Sequence, residues 1–456
     1  MKKFFYIPVL AIASLTLLWS CGETKELMEE IPASATFVAK FDLSQLAVNS
    51  GCAFDHDKII LNDDLNQIFE RINAGSAVQL VADLAPHITA DEVFAFGQTG
   101  ESAWFITKTT AKDAAEKVLT EKVGQPSKKD SFTLFQSDDF GRFYLKDDLI
   151  WWQPSLAINE SPAIIREAID KSGNIGAIPG TGDFLRKDGE IMFAFSFDSQ
   201  WYCSEINFDG PRMKSDLTRI DENGTVQKYD KLRKIDTGFL NFVPRNALAV
   251  AAVGLTPEFD WKSLAPAVGM IGGWQANLAF EFILPILKNI DGTVALALAM
   301  PEDSSFENFD DDSSFENMQF VLLAAMKEAN AVATIDKVRS LLNQYFVPYK
   351  SESSTKLTVN FNGITATMAY EKGFLVLANC QPQIGGNDSG KFFSGKEFAA
   401  IANLSSDDLT ALYGYPIPFG VDSFMSFDGE KMEQTLTLTG VESLFIPTLL
   451  KVIAND

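Results

Sequence analysis

Two stretches of this sequence, separated by 212 positions, resemble each other. Residues 31–43 (IPASATFVAKFDL) align with residues 243–255 (VPRNALAVAAVGL), with five identities and several further apolar matches. Each stretch starts with an X-Pro pair and continues as an alternating run that is typical of a strand. A chain that repeats its own start in this way is expected to fold as two similar units.

Further matches follow the first one in the same order along both halves, which favours a duplication of the whole half. The matches are Val93 with Val294, Lys117-Val118 with Lys337-Val338, and the SFD triplets at residues 196–198 and 426–428. Residues 142–152 also match residues 367–378, and we predict that both are hairpins, with turns at Asp147-Asp148 and Lys372-Gly373.

The pattern within each half predicts the fold class. Residues 104–108 and 320–326 read as strands, and each is followed by a charged helix, at residues 111–119 and 330–342. Strands joined by hairpins form antiparallel sheets, and helices between them cover a face. We therefore predict an α+β fold with two similar lobes from an internal duplication, each an antiparallel sheet covered by helices.

We place the first α+β lobe at residues 31–242 and the second at residues 243–456. A long apolar segment in the second lobe, Val268–Leu287, also suggests a membrane span at first sight. It contains Gln275, Asn277, Glu281, three glycines and Pro285, so we interpret it as a core helix with a break.

The N-terminus has the pattern of an export signal. Two lysines precede an apolar run at residues 4–19, which ends in Leu-Trp-Ser-Cys-Gly around Cys21. This looks like the lipobox of bacterial lipoproteins, so we predict a signal peptide at residues 1–20, lipid on Cys21 and attachment to a membrane through that lipid. The alternative, an uncleaved anchor helix, needs about 20 apolar residues, and this run is shorter.

A short charged tether follows at residues 21–30, with four glutamates and one lysine. In Bacteroidota lipoproteins an acidic stretch at this place resembles a signal for export to the outer face of the outer membrane, and a plain solvated linker explains it equally well. We expect an outer-membrane lipoprotein that faces the cell surface or the periplasm.

The charge of the chain restricts its partners. The net charge is −23, and loss of residues 1–20 removes two lysines and no acid, which leaves −25. Nucleic acid and anionic lipid head groups repel such a chain as a whole, so we expect no nucleic-acid partner. Three cysteines remain after Cys21, namely Cys52, Cys203 and Cys380, and because no CxxC occurs we expect buried free thiols.

The start of the first lobe also resembles a known family. Its members are Bacteroidota lipoproteins that are defined only as a domain of unknown function. The matching positions are Ile31-Pro32, Ala35, Phe37-Val38, Asp42-Leu43, Leu46 and Ser50-Gly51, whereas Gln45 and Asn49 depart from the family pattern. The resemblance implies a lipoprotein over the whole mature chain, and it implies no activity.

Trp151 and Trp152 are candidates for stacking on a ligand. Neighbouring residues of a strand point to opposite faces, so one of the two rings is a candidate for an exposed surface that holds a sugar or a partner. Burial of both rings between a sheet and its helices is the stronger alternative.

The most unusual local feature is DSSFEN at residues 303–308, repeated at residues 312–317. Asp310, Asp311 and Asp312 at the junction are weak candidates for binding calcium through oxygen ligands. The segment lacks the spaced acids and the glycine of a calcium loop, so a solvated loop is the better interpretation.

Other motifs fail on chemistry. Residues 390–396 fit GxxxxGK, but Glu397 stands where a phosphate loop needs Ser or Thr for magnesium. The chain has only two histidines: His56 is assigned to a surface loop and His87 to the end of a helix. Ser353-x-x-Lys356 has no partner motif. We predict no catalytic residue and no cofactor.

These observations favour a non-enzymatic, membrane-anchored protein that binds a protein or a glycan or has a structural role in the envelope. One alternative is a glycan hydrolase with two carboxylates, which requires two converging buried acids, one with a raised pKa. A second alternative is an accessory subunit of an outer-membrane complex, which requires a large exposed apolar patch.

Overall fold

A computed structural model gives two compact units, one formed by residues 1–227 and 441–456 and the other by residues 228–440. The structure describes residues 25–55, 58–60, 65–67, 70, 75–89, 92–98, 103–129, 131–154, 173–264, 284, 286–299, 318–361, 364–380, 390–413, 416–441 and 444–455.

Unit 1 contains a large antiparallel sheet and a separate hairpin of β2 and β3. Its strands are β1 Phe37–Phe41, β2 Ala53–Asp55, β3 Lys58–Ile60, β4 Val93–Gly97, β5 Ala103–Lys108, β6 Ser127–Lys129, β7 Phe132–Ser137, β8 Gly141–Lys146, β9 Leu149–Gln153, β10 Ile191–Phe197, β11 Gln200–Asp209 and β12 Arg212–Ile220. The strand order is β12-β11-β10-β1-β4-β5-β9-β8-β7-β6.

Unit 2 contains one described sheet, which is also antiparallel. Its strands are β13 Ala247–Leu255, β14 Gly292–Ala299, β15 Gln319–Ala325, β16 Tyr349–Ser353, β17 Lys356–Phe361, β18 Ile364–Glu371, β19 Phe374–Ala378, β20 Phe398–Leu404, β21 Gly420–Phe427 and β22 Lys431–Thr439. The order is β22-β21-β20-β13-β14-β15-β19-β18-β17-β16.

The two large sheets have the same strand order. In this comparison β1 corresponds to β13, and β4 to β12 correspond, in sequence order, to β14 to β22. The described helices are α1 Lys25–Glu29, α2 Leu43–Asn49, α3 Gly75–Leu84, α4 Lys112–Lys122, α5 Thr181–Leu185, α6 Glu328–Gln344, α7 Gly390–Phe393, α8 Ser406–Tyr413 and α9 Phe445–Asn455. Antiparallel sheets with added helices confirm the predicted α+β class, including the strand-then-helix pairs β5–α4 and β15–α6.

The sheet of unit 1 is apolar on both faces. Val38 and Ala39 are neighbours on β1, yet they belong to different buried clusters, because successive side chains of a strand point to opposite faces. The helices that contribute to the cluster of Ala39 are α2, α3, α4 and α9. The cluster of Val38 is covered by α1 and α5.

Unit 2 also buries both faces of its sheet, with fewer described helices. Val250 and Val376 belong to a cluster that includes Phe393 of α7 and residues of the 3₁₀ helix Thr237–Phe242. Leu375, next to Val376 on β19, belongs to the opposite cluster, where Ala331 and Ile335 of α6 pack.

The units do not divide at the predicted boundary between residues 242 and 243. An extended segment at residues 229–236, here called the strap, already belongs to unit 2. Four backbone hydrogen bonds join it to other described residues of the unit. The amides of Tyr229, Arg233 and Ile235 donate to the carbonyl oxygens of Gly429 at 2.8 Å, Gly254 at 2.9 Å and Lys396 at 2.8 Å, and the amide of Thr256 donates to that of Lys231 at 3.2 Å.

The second difference from the predicted boundary is at the C-terminus, because α9 belongs to unit 1. The amide of Phe445 donates to the carbonyl oxygen of Gly210 at 2.8 Å, and its ring lies 5.6 Å from that of Phe208. Ile446 and Leu450 lie in the same buried cluster as α3. Unit 1 is therefore built from two separate parts of the sequence.

The tight turns of the predicted hairpins are confirmed. Asp147, between β8 and β9, has φ 54°, and Lys372 and Gly373, between β18 and β19, have φ 47° and 89°. Positive φ angles at the central residues match the twist of a two-residue hairpin. The predicted SFD match is wrong, because residues 196–198 end β10 whereas residues 426–428 end β21, the counterpart of β11.

Among the helices that the structure describes, none is sufficiently long and apolar to cross a membrane. Most of the Val268–Leu287 segment is outside the described residues. Leu287 is described, and it packs against the cluster of Ala331 and Ile335.

Helix α6, which has 17 residues, ends at an unusual residue for its position. The amide of Val347 donates to Leu342 O at 2.8 Å and that of Phe346 to Asn343 O at 3.3 Å, the two hydrogen bonds of a Schellman motif. The left-handed position of this motif usually holds glycine, but here it holds Phe346, with φ 57° and 93% exposure. The fold gains almost no buried area from this ring.

We expect Phe346→Gly to raise the free energy of unfolding by about 1 kcal/mol, because an L-residue in the left-handed region costs about 1–2 kcal/mol and glycine avoids that cost. Urea unfolding followed by circular dichroism measures the effect. Phe346→Ala, which keeps a Cβ, is the control and should change stability much less. Destabilisation by glycine would contradict the assigned backbone conformation.

Candidate functional site

Trp151 and Trp152 lie on β9 and point to opposite faces of the sheet, as predicted. Trp151 is 4% exposed and packs edge-to-face against Phe132, with ring centroids 5.4 Å apart. Its ring has no surface on which a ligand could stack.

Trp152 is half-buried on the other face of the sheet. Its ring stacks on Phe143 at 5.5 Å with an interplanar angle of 6°, and lies 5.1 Å from Phe105. The indole N–H donates to the carbonyl oxygen of Phe140 at 2.7 Å. The polar atom of Trp152 is therefore satisfied within unit 1, and its ring serves as an apolar wall.

That wall belongs to a cavity of about 50 Å³ between α3 and the sheet of unit 1. Leu80, Val81 and Leu84 of α3 form one side of the cavity. The remaining lining residues come from the sheet and the segment before it, and they are Ile88, Val93, Phe105, Ile106, Thr107, Phe143, Ile150 and Trp152.

The spacing of residues on α3 explains its position over the sheet. Leu80, Val81 and Leu84 follow the i, i+1, i+4 pattern of one helical face. On its outer side, Gln79 donates to Asp83 at 3.0 Å, and Asp83 forms an ion pair with Lys122 of α4 at 2.8 Å. Exposed ion pairs of this kind contribute at most about 1 kcal/mol, so α3 is held mainly by its apolar face.

The described lining of the cavity is apolar except for Thr107. The 11 described lining residues include no titratable side chain, and the hydroxyl of Thr107 donates to Thr89 O at 2.7 Å. A ligand that enters gains dispersion and hydrophobic energy, and no side chain of the lining is placed to transfer a proton.

The acid with a raised pKa in unit 1 is Glu190. Burial raises its pKa, opposed by hydrogen bonds from the backbone of Phe208 and the side chain of Asn49. These donors occupy both oxygens, because Phe208 N lies 3.0 Å from Oε1 and Asn49 Nδ2 lies 2.9 Å from Oε2. The contacts describe a structural carboxylate that joins α2 to β11.

Lys40 is a buried lysine on β1. Burial lowers its pKa, while the charges of Glu92, Asp188 and Asp42 oppose that shift. Its ammonium donates to the carbonyl oxygen of Lys187 at 2.7 Å. The side chain therefore links the central strand to the loop before β10.

In unit 2, Glu397 occupies the position at which a GxxxxGK phosphate loop has the Ser or Thr that binds magnesium. Its contact in the structure is with the strap. It is 5% exposed, and Oε1 lies 3.5 Å from Lys234 Nζ in the strap. A side chain at Gly429 would collide with the carboxylate, so this glycine is required there. The ion pair holds the strap against β20.

The remaining candidates do not converge on a site. Cys21, His56 and the Asp310–Asp312 run lie outside the described residues, and within the described part of the chain no group of three or more His, Cys, Asp or Glu is placed to hold a metal. His87 ends a short 3₁₀ helix, as predicted. Lys356, in the Ser353-x-x-Lys356 pattern, pairs with Glu352 at 2.8 Å.

The three described cysteines are free thiols, of which Cys203 is buried, as predicted, whereas Cys52 and Cys380 are half-buried. Burial raises the pKa of Cys52 to about 12, and burial also raises the pKa of Cys203 to about 12 against the opposing charge of Lys187. Burial raises the pKa of Cys380 as well.

The sequence predicted the opposite directions of the two tryptophans. It did not predict that Trp152 and α3 line one cavity, because their contact joins residues about 70 positions apart. Comparisons with family models, curated proteins and solved structures found no match.

We expect Cys52 and Cys203 to react with iodoacetamide at pH 8 at least a hundredfold more slowly in the folded chain than in urea. Thiolate is the nucleophile, and a pKa of about 12 leaves about one thiol in ten thousand ionised at pH 8. Because the folded pKa is raised, these thiols favour folding at neutral pH and lose that contribution as pH rises from about 9 to 12. Mass spectrometry of the peptides measures the labelling, and a disulfide or rapid native labelling of Cys203 would contradict the assignment.

Proposed function

We propose that this chain is a membrane-anchored, non-enzymatic lipoprotein that binds an apolar ligand of the acyl-chain class in the cavity beneath α3. The observation that carries the proposal is the lining of that cavity, which joins Trp152 and the apolar face of α3 without a titratable group. A glycan or protein partner, expected from the sequence, would bind elsewhere on the chain.

The energetics of the cavity favour a chain over a polar ligand. Each methylene transferred from water contributes about 0.8 kcal/mol, whereas a buried polar group without a partner costs about 1–3 kcal/mol. The lining leaves no side-chain polar atom of Thr107 or Trp152 without a hydrogen bond. The volume of the cavity fits the end of an acyl chain, and displacement of α3 would admit more of the acyl chain.

The non-enzymatic character rests on the groups available near bound ligand. The hydrolase alternative requires two converging carboxylates, and Glu190 commits both oxygens to Phe208 and Asn49. Burial raises the pKa of Glu190 and the charges of Asp42 and Asp209 add to that rise, but the hydrogen bonds from Phe208 and Asn49 are the contacts of a structural carboxylate.

Attachment to the outer membrane through lipid on Cys21 is supported by the sequence. The basic start, the apolar run and the cysteine follow each other in the order of a lipoprotein signal, and the acidic tether at residues 21–30 follows. The resemblance of residues 31–51 to Bacteroidota lipoproteins supports the same conclusion.

An internal duplication is supported by the register of the two sheets. On β1, Phe41 pairs with Val93, and on β13, Val253 pairs with Val294. The sequence alignment matches Phe41 with Val253 and Val93 with Val294, so the alignment and the strand register agree at this pair.

We expect the full chain to bind cis-parinaric acid, whose fluorescence rises in an apolar site, and Val81→Phe to weaken that binding at least about tenfold, or about 1.4 kcal/mol. The larger ring fills space that the ligand needs. Fluorescence titration measures both affinities.

Val338→Phe on α6 is the control, since Val338 is also a helical valine that packs against a sheet, but it is half-buried and lies in unit 2. Its affinity should equal that of the parent. Absence of binding by the parent, or equal weakening by both variants, would contradict ligand binding in the cavity.

We expect Cys21→Ala to abolish lipidation, so that the chain is retained at the inner membrane by its uncleaved signal or released in soluble form. Membrane fractionation and mass spectrometry of the N-terminal peptide measure the outcome. Unchanged fractionation of this variant with the outer membrane would contradict anchoring through Cys21.

A further inference from the structure

The C-terminal end of α6 presents two exposed aromatic residues. Tyr345 is 64% exposed and Phe346 is 93% exposed, and together they are here called the aromatic tip. The two preceding residues, Asn343 and Gln344, are also exposed and uncharged.

The stability of unit 2 does not explain Phe346. Glycine or asparagine suits the left-handed position of the Schellman motif, and the ring of Phe346 is almost fully in water. Phe346 is unfavourable both for its left-handed backbone conformation and for the exposure of its apolar ring to water. Such a residue is typical of a position that is selected for a contact outside the fold.

The charge around the tip is opposite to that of the chain. Residues 336–352 contain three basic residues and two acidic residues, Asp336 and Glu352, so their net charge is +1, although the whole chain has a net charge of −23. Of the three, Lys337 and Lys350 are exposed. Arg339 is committed to the fold, because it pairs with Asp336 at 2.6 Å and donates to the carbonyl oxygen of Ser353.

We propose that the aromatic tip inserts into the interface of a lipid bilayer that carries anionic head groups. Phe346 would enter the acyl region, Tyr345 would lie at head-group depth with its hydroxyl in water, and Lys337 and Lys350 would contact the phosphates. The lysines also locally offset the repulsion between an acidic chain and an anionic surface. The inference does not depend on lipid at Cys21 or on the cavity of unit 1.

The test places a tryptophan at the tip and measures its depth in the bilayer. Full-length Phe346→Trp is mixed with vesicles of phosphatidylethanolamine and phosphatidylglycerol that contain brominated lipid, which quenches nearby indole fluorescence. The signal of the parent, with its seven tryptophans, is subtracted. The full chain is used so that every variant has the same N-terminal segment.

Phe197→Trp is the matched control, because Phe197 is 68% exposed at the end of β10 and is followed by Asp198. We expect quenching of the indole at position 346 to be several-fold greater than at position 197. Salt should weaken it, because the Debye length falls from about 10 Å at 0.1 M to about 3 Å at 1 M. Equal quenching at both positions would overturn the proposal.

A second variant separates insertion from self-association. We expect Phe346→Asn, which suits the left-handed backbone, to keep the circular dichroism spectrum and to lower vesicle partitioning of the tip region about tenfold, as measured by quenching of Tyr345→Trp in the same chain. If sedimentation shows instead that Phe346→Asn abolishes a dimer of the parent, the tip binds a second copy of the chain and the lipid proposal is wrong.

Discussion

Strand β1 is paired on both sides, with β10 and β4, and its residues Val38 and Ala39 are buried on opposite faces. A strand in that position has no side that tolerates water, so the rest of unit 1 must supply cover on two faces. The short helices α1 and α5 do so on one face, and α2, α3, α4 and α9 on the other. The strand order is compatible with this requirement, because the chain segments that connect the strands are long enough to contain those helices.

The cavity is a consequence of covering a broad aromatic surface with a helix. Phe105, Phe143 and Trp152 are large and rigid, and the three contacting residues of α3 are aliphatic and branched. Such surfaces do not interlock completely, so a space remains where the helix crosses the rings. In unit 2 the same position in the sheet holds Leu322 and Leu377. Two sheets of one topology can therefore differ in what they enclose.

Local chemistry explains what the sequence predicted correctly. The turn at Asp147-Asp148, strand β5 and helix α4 depend on residues within a few positions, and each was predicted within three residues of its bounds. The strap at residues 229–236 has no periodicity, since its hydrogen bonds go to distant strands, so it was not predicted. The SFD match was misleading because hairpin ends in different strands favour the same residues. The direction of the Trp152 side chain followed from the alternation of residues along a strand. The packing of α3 next to it could not be predicted, because the two are distant in the sequence.

The assignment of α9 to unit 1 makes that unit discontinuous, with residues 228–440 inserted between its parts. The ribosome makes a chain from its N-terminus, so the helix that covers Ile191 and Leu84 is made last. During that interval the first sheet is paired but lacks part of its apolar layer. Unit 2, by contrast, is encoded without interruption and is complete before the final helix emerges. The later part of the chain is thus the first to be finished, and the earlier part must remain protected from aggregation until synthesis ends.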